Sequence, residues 1–163
     1  VDLVVQIRPE DVEIDFEVIR NFIFKLNDMG FDIAKVTLDG FQSADFCQLV
    51  KKRGIDSDII SVDRSRKPYD TFKSLLYQGK VNMYNYLVLL RELKELIVDK
   101  NGKVDHPKES QQRLKEEGIK DGSKDWSDAV CGAIYSAVMQ EMEFGPTVVD
   151  ETDIELPNPE DIL

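Results

Sequence analysis

Three carboxylates stand where a hard cation could be held. Asp39 closes the compact β-rich run Ile33-Ala34-Lys35-Val36-Thr37-Leu38, and Gly40 follows at once, letting the backbone turn sharply. Ligands of open parallel sheets gather at the carboxyl ends of strands, so the position suits a site. An Asp after a strand is equally an ordinary turn former or helix cap, and it needs partners to be more than that. Asp125 and Asp128 are spaced i,i+3 in the first turns of a helical pattern, which places their carboxylates on neighbouring positions of one face. With Ser123 as N-cap, Asp125 has a structural role open to it, complementing the positive end of the helix dipole. Asp128 shares a stripe with Asp125, Gly132 and Tyr135, beside an apolar face carrying Ala129 and Val130, where an unpaired carboxylate is costly. A cation offsets that cost. Two or three Asp oxygens suit Mg2+ or Mn2+, hard ions that keep several waters and take substrate phosphates as further ligands, and phosphodiester chemistry follows from that preference.

The other reactive side chains are less promising. His106, the single histidine, precedes Pro107 and reads as a turn residue. Cys47 and Cys131 lie far apart inside helical patterns without the close Cys or His neighbours of a zinc site, and read as reduced packing residues. The bases come partly in clusters, Lys51-Lys52-Arg53 and Arg64-Ser65-Arg66-Lys67. Either would be unremarkable on a solvated surface, the second less so because it follows a strand. The net charge of −11 argues against a nucleic-acid partner only until its distribution is considered. Residues 141–163 hold eight acids and no Lys or Arg, leaving 24 acids against 21 bases over residues 1–140.

These residues must be positioned by an alternation of strands and helices. Leu3 to Ile7 is a β-rich run ended by Arg8-Pro9. Asp15 to Met29 repeats Phe16, Ile19, Ile23 and Leu26 at helical spacing, and Gly30 stops it. The strand at Ile33 to Leu38 is followed by a helix capped by Ser43 and running through Arg53, then by a third strand, Ile59-Ile60-Ser61-Val62. Such short connections predict an α/β fold with a mostly parallel sheet flanked by helices. Further on come a helix over about 69–78, a short strand near Lys80 to Met83 and a helix over about 85–96. A hairpin turning at Asn101-Gly102 joins Leu96-Val98 to Lys103-Asp105. Residues 107–122 read as an exposed polar loop. The last helix, from Ser123 to about Met142, carries a stripe of Trp126, Ala129, Val130, Ala133, Ile134, Ala137 and Val138 whose face is expected to be buried. One core is expected over residues 1–144, with an acidic, unpatterned tail over 145–163. With 42% hydrophobic and 33% charged residues, no apolar stretch of membrane-spanning length and no charged-then-apolar leader, the expectation is a soluble chain with no membrane partner.

Four motifs occur in order: Asp39-Gly40-Phe41-Gln42-Ser43, Ser61-Val62-Asp63-Arg64, Asp105-His106-Pro107, and Gly122-Ser123-Lys124-Asp125-Trp126-Ser127-Asp128-Ala129. Over roughly Asp2 to Tyr135 the chain thereby resembles the nuclease domain of phage terminase large subunits. The strand-end Asp-Gly-Phe-Gln-Ser and the helix start Ser-Lys-Asp-x-x-Asp-Ala are the most specific elements. The resemblance implies an RNase H-like three-layer fold and a metal-dependent endonuclease that cuts concatemeric double-stranded viral DNA during packaging, in the host cytoplasm. It implies Asp39 as the second-strand metal ligand and Asp128 as the late-helix ligand, both catalytic, with Asp125 flanking them. Mg2+ or Mn2+ is the implied cofactor, and Arg64, Arg66 and Lys67 are the implied DNA contacts. The implied mechanism places two metal ions on the scissile phosphate, one activating water and the other stabilising the leaving 3′ oxygen. The implied partners are DNA, the terminase ATPase domain, and the small subunit or portal.

The chain departs from the family at its start. The family's remaining catalytic Asp lies on a first strand that precedes the stretch resembling Val1 to Ile7, and Asp2 does not match it. A shortened or fragmentary nuclease domain lacking its third carboxylate is the expectation, and no phosphate-binding Gly-x-x-x-x-Gly-Lys-Ser/Thr loop of an ATPase motor occurs. Two alternatives share these residues: a non-catalytic docking or DNA-positioning module, and an RNase H-like resolvase of branched DNA.

Overall fold

The computed structural model describes residues 1–7, 13–40, 43–62, 64–107 and 124–144. The expected N-cap Ser123, most of the 107–122 loop and the 145–163 tail lie outside the described residues. Among the described residues the chain is mixed α/β, with five helices and four short strands. It divides into two compact units: Val1–Val5 with Ile60–Met139, and Gln6–Ile59 with Gln140–Leu163. Each unit has a hydrophobic cluster of its own.

The unit containing Asp39 starts with helix α1 (Phe16–Asp28), where the Asp15 side chain accepts the Glu17 N–H at 2.7 Å and caps the first turn. Gly30 ends it with a φ of 98°, a conformation that glycine adopts without strain, and the Phe31 N–H returns to the Leu26 carbonyl. Strand β1 (Lys35–Leu38), helix α2 (Ser43–Lys52) and strand β2 (Asp56–Ile59) follow, and β1 pairs with β2 in parallel, Lys35 opposite Asp56 and Leu38 opposite Ile59. Phe46, Val50 and Ile55 form the buried centre, with Ile19, Ile23, Phe24, Ile33, Val36 and Leu38 packed against it.

This pairing corrects the expected strand at Ile59 to Val62. The apolar run looked like the better strand, but of it only Ile59 pairs, and the rest of β2 is the polar Asp56-Ser57-Asp58. Ser57 turns inward to donate to the Cys47 carbonyl at 3.0 Å, and Asp56 and Asp58 both lie within 4 Å of the Lys35 ammonium. Val62 is used elsewhere, as a buried member of the other unit's core.

The unit containing Asp128 has α3 (Lys67–Tyr77), α4 (Leu87–Glu95), the antiparallel pair β3 (Ile97–Val98) and β4 (Val104–Asp105), and α5 (Asp125–Phe144) as far as Met139. Pro68 sits in the first turn of α3, where its missing N–H costs nothing. The hairpin turns at Asn101-Gly102 as expected: the Asp99 carboxylate accepts from the Asn101 and Lys103 N–H groups at 2.8 Å, and Gly102 has a φ of 81°. The core joins Val62, Tyr69, Phe72, Leu89, Val104, Trp126, Val130 and Cys131, with the Tyr86 ring edge-on to Trp126 at 4.9 Å.

Three further expectations change here. Leu3 to Ile7 and Lys80 to Met83 are not strands; Val4, Val81 and Met83 pack against the core from irregular backbone instead. The face α5 buries is also rotated from the apolar stripe. Ala129, Ala133 and Ala137 are exposed, while Ser127, Cys131, Gly132 and Ser136 are buried beside Trp126 and Val130. Small residues allow that approach: a Cβ on Gly132 would stand 3.3 Å from a Val62 methyl. Finally, the mostly parallel central sheet is, among the described residues, one parallel pair and one antiparallel pair in separate sheets. No described helix is long and apolar enough to cross a membrane.

Candidate functional site

Asp128 stands at the end of the first turn of α5, where three helices supply its surroundings. From α3, the Tyr69 hydroxyl donates to its Oδ1. From the residue just before α5, the Lys124 ammonium lies 3.1 Å from Oδ1 and 3.0 Å from Oδ2, and 5.9 Å from the centre of the Tyr69 ring. Lys124 is 8% exposed, an unusual place for an ammonium group unless its charge is matched. The Asp128 side chain, 25% exposed, matches it. Burial, then the bond to Asp128, pushes the Tyr69 hydroxyl well above its ordinary range, so it remains a protonated donor.

From α4, Glu92 reaches the same helix start. Its Oε2 accepts the Ser127 N–H at 2.9 Å, satisfying one of the N–H groups that a helix start leaves unpaired. Its Oε1 is buried and has no hydrogen-bond partner among the described residues. Burial pushes the carboxyl up to about 7; the Ser127 bonds oppose that rise, and the negative charges of Asp125 and Asp128 add to it. Cys131, at i+3 from Asp128, is a fully buried free thiol, pushed up to about 12 by burial and then by the Asp128 charge. Asp125 is exposed at the first position of the helix.

Arg64, Arg66 and Lys67 are all exposed, in the segment that leads into α3. Arg66 is committed to Asp70, its Nε 3.1 and 3.0 Å from the two carboxylate oxygens. Two residues beyond Lys67 comes Tyr69. The expected DNA-contacting segment and the hydroxyl holding Asp128 thus belong to one loop–helix junction.

Asp39 belongs to the other unit, at the carboxyl end of β1. Its Oδ1 accepts the Gly40 N–H at 2.6 Å, and its carbonyl accepts the Ser43 hydroxyl at the start of α2. That is the turn-forming role any Asp-Gly after a strand can play. Its side chain is exposed, and Gly40 contributes to a neighbouring hollow of about 500 Å³ whose walls include Phe16, Arg20, Ser43, Phe46 and Ile59. His106 has its Nδ1 3.1 Å from Asp105 Oδ1 but not in hydrogen-bonding geometry, in keeping with a turn residue.

Among the described residues, no group of three or more His, Cys, Asp or Glu side chains is arranged to hold a metal ion. At Asp128 both carboxylate oxygens face an ammonium. Tyr69, Glu92 and Lys124 are the site residues that sequence reasoning missed. Only Lys124 left a signal, its i,i+4 spacing from Asp128. No protein-family model, no curated protein and no solved structure matches the chain.

Proposed function

We propose that this chain is a divalent-metal-dependent DNA endonuclease domain of the terminase type, with an RNase H-like arrangement, acting on double-stranded DNA during viral genome packaging. Asp39 and Asp128 are its proposed ligands for Mg2+ or Mn2+, with Asp125 flanking, and Arg64, Arg66 and Lys67 meet the DNA backbone. The observation that carries the reading is the start of α5, Asp125-Trp126-Ser127-Asp128, whose last carboxylate lies half-buried at a meeting of three helices, next to the junction bearing the exposed bases. Asp39 is assigned on its motif alone. The terminase ATPase domain and the small subunit or portal are proposed partners on the same ground.

The test is incubation of supercoiled plasmid with the chain and Mn2+. Nicking or linearisation that Asp128→Asn abolishes supports the reading. Intact plasmid, or cleavage indifferent to Asp128→Asn, removes it. A second reading, a docking or DNA-positioning module without catalysis, is favoured by a different feature. An apolar groove of about 540 Å³ includes Phe72, Leu76, Met83, Leu90 and Leu93, with Lys73 and Lys94 among its walls, which suits an acidic, apolar partner segment. Retention of DNA or packaging components without cleavage marks that outcome.

A further inference from the structure

The apolar faces of α3 and α4 do not end where the core ends. On α3, Tyr69 and Phe72 are buried in the core, and the same face runs on through Leu76 and Tyr77, which are exposed. On α4, Leu90 and Leu93 continue outward beside the buried Leu89. These side chains wall the groove of about 540 Å³, together with Met83, Val104 and the exposed Val98 of β3. All of them belong to the unit that contains Asp128. A single exposed leucine is ordinary on a protein surface. A continuous apolar groove leading out of a core marks a surface that another chain covers.

The charges around the groove select the kind of chain. Its walls carry three bases, Arg66, Lys73 and Lys94, and one acid, Asp70. Arg66 holds Asp70, its Nε 3.0 Å from Oδ2, so those two cancel. Lys73 and Lys94 are exposed and make no ion pair among the described residues. A chain of net charge −11 thus presents cations beside its open apolar face. The backbone restricts the mode of binding as well. β3 is only Ile97–Val98, too short an edge to take on a further strand, whereas the two helices offer ridges between which a third helix can pack. We propose that this groove binds an acidic amphipathic helix of a partner protein. Its apolar side chains, at i, i+3, i+4 and i+7, enter between α3 and α4, and its flanking carboxylates meet Lys73 and Lys94. This rests on reading the groove as a docking surface, and it holds whether or not the chain cleaves DNA.

The test is fluorescence anisotropy of two labelled peptides of about 15 residues, near the length at which an isolated helix is marginal in water, titrated with the full chain. Both carry Leu at i, i+3, i+4 and i+7; one carries Glu at the outward positions and the other Lys. Long-range attraction to a chain of net charge −11 favours the Lys peptide, so a preference for Glu must come from a local basic surface. The Glu peptide should bind about tenfold tighter than the Lys peptide, and Lys73→Glu/Lys94→Glu should reverse that order. Tyr77→Ala, at a side chain 81% exposed, trims the apolar wall outside the core and should weaken both peptides severalfold. Equal binding of the two peptides, or a Glu preference that survives the double charge reversal, overturns the inference. Binding of neither peptide removes the docking reading itself, and the inference with it, so the two failures are distinguishable. The unaltered chain supplies an independent readout: by far-UV circular dichroism the Glu peptide should gain helix on binding, and binding without that gain overturns the helical mode.

Discussion

Replacing Glu92 by Gln should flatten the pH dependence of stability of the unit that contains Asp128. Glu92 is pushed up to about 7 from an ordinary 4.5, chiefly because burial disfavours its charged form. The acid form is thus the better fitted to the folded protein. The fold carries no penalty below 4.5; the loss accumulates as pH rises from there and is complete above about 7. At about 1.4 kcal/mol per pKa unit, the part of that loss falling between about pH 5.5 and pH 8 is roughly 2 kcal/mol, an upper figure because the carboxyl is only half buried. Gln keeps an oxygen for the Ser127 N–H and cannot ionise. Trp126, the single tryptophan, is buried in the same core and reports unfolding of that unit by fluorescence in urea. The stability of Glu92→Gln relative to wild type should rise by roughly 2 kcal/mol over that pH range, with the titrations of other groups cancelling in the difference. Parallel pH profiles for the two proteins would refute the placement of Glu92 against the start of α5.

Tyr69→Phe removes the hydroxyl that holds Asp128 and should cost about 1.5–3 kcal/mol in the same urea assay, as for a hydrogen bond to a charged group; an unchanged midpoint means the bond is not made. Both thiols are buried, and Cys131 is pushed up to about 12, so a disulfide reagent at mildly alkaline pH should modify neither in the folded chain and both in urea. Rapid modification of Cys131 in the native chain contradicts the packing of α5. Joint replacement of Arg64 and Lys67 by Ala should lower the salt dependence of DNA binding by about two units of log–log slope, while Arg66→Ala, already paired with Asp70, changes it less. Equal effects of all three would show that the Arg66 pair does not persist on DNA.

The elements that a reader of the residues can find are those whose reasons are local. Asp15 and Gly30 bound α1 because a cap and a left-handed turn are decided within a few residues, and Asn101-Gly102 turns its hairpin for the same reason. Where the deciding contact is distant, the reading failed. The run Ile59 to Val62 has stronger β propensity than Asp56 to Ile59. Yet Lys35, 21 and 23 residues before them, pairs with the two aspartates, while Val62 fills a core completed by α5. On α5 itself the alanines completed an apolar stripe, but the core takes Ser127, Cys131 and Gly132, and at Gly132 a Cβ would stand 3.3 Å from a Val62 methyl. The site divides in the same way. Asp128 stood out as a carboxylate beside an apolar face, and Lys124 was visible at helical spacing. Its partner Tyr69 lies 59 residues away and the Glu92 contact to Ser127 spans 35, so neither leaves a local pattern.

The central proposal is that Asp128 is a ligand for a divalent cation. A crystal of the full chain grown with Mn2+ and measured at the manganese absorption edge tests it most directly. The proposed function predicts an anomalous peak about 2.0–2.2 Å from a carboxylate oxygen of Asp128. Anomalous density absent from the Asp128 carboxylate would contradict it.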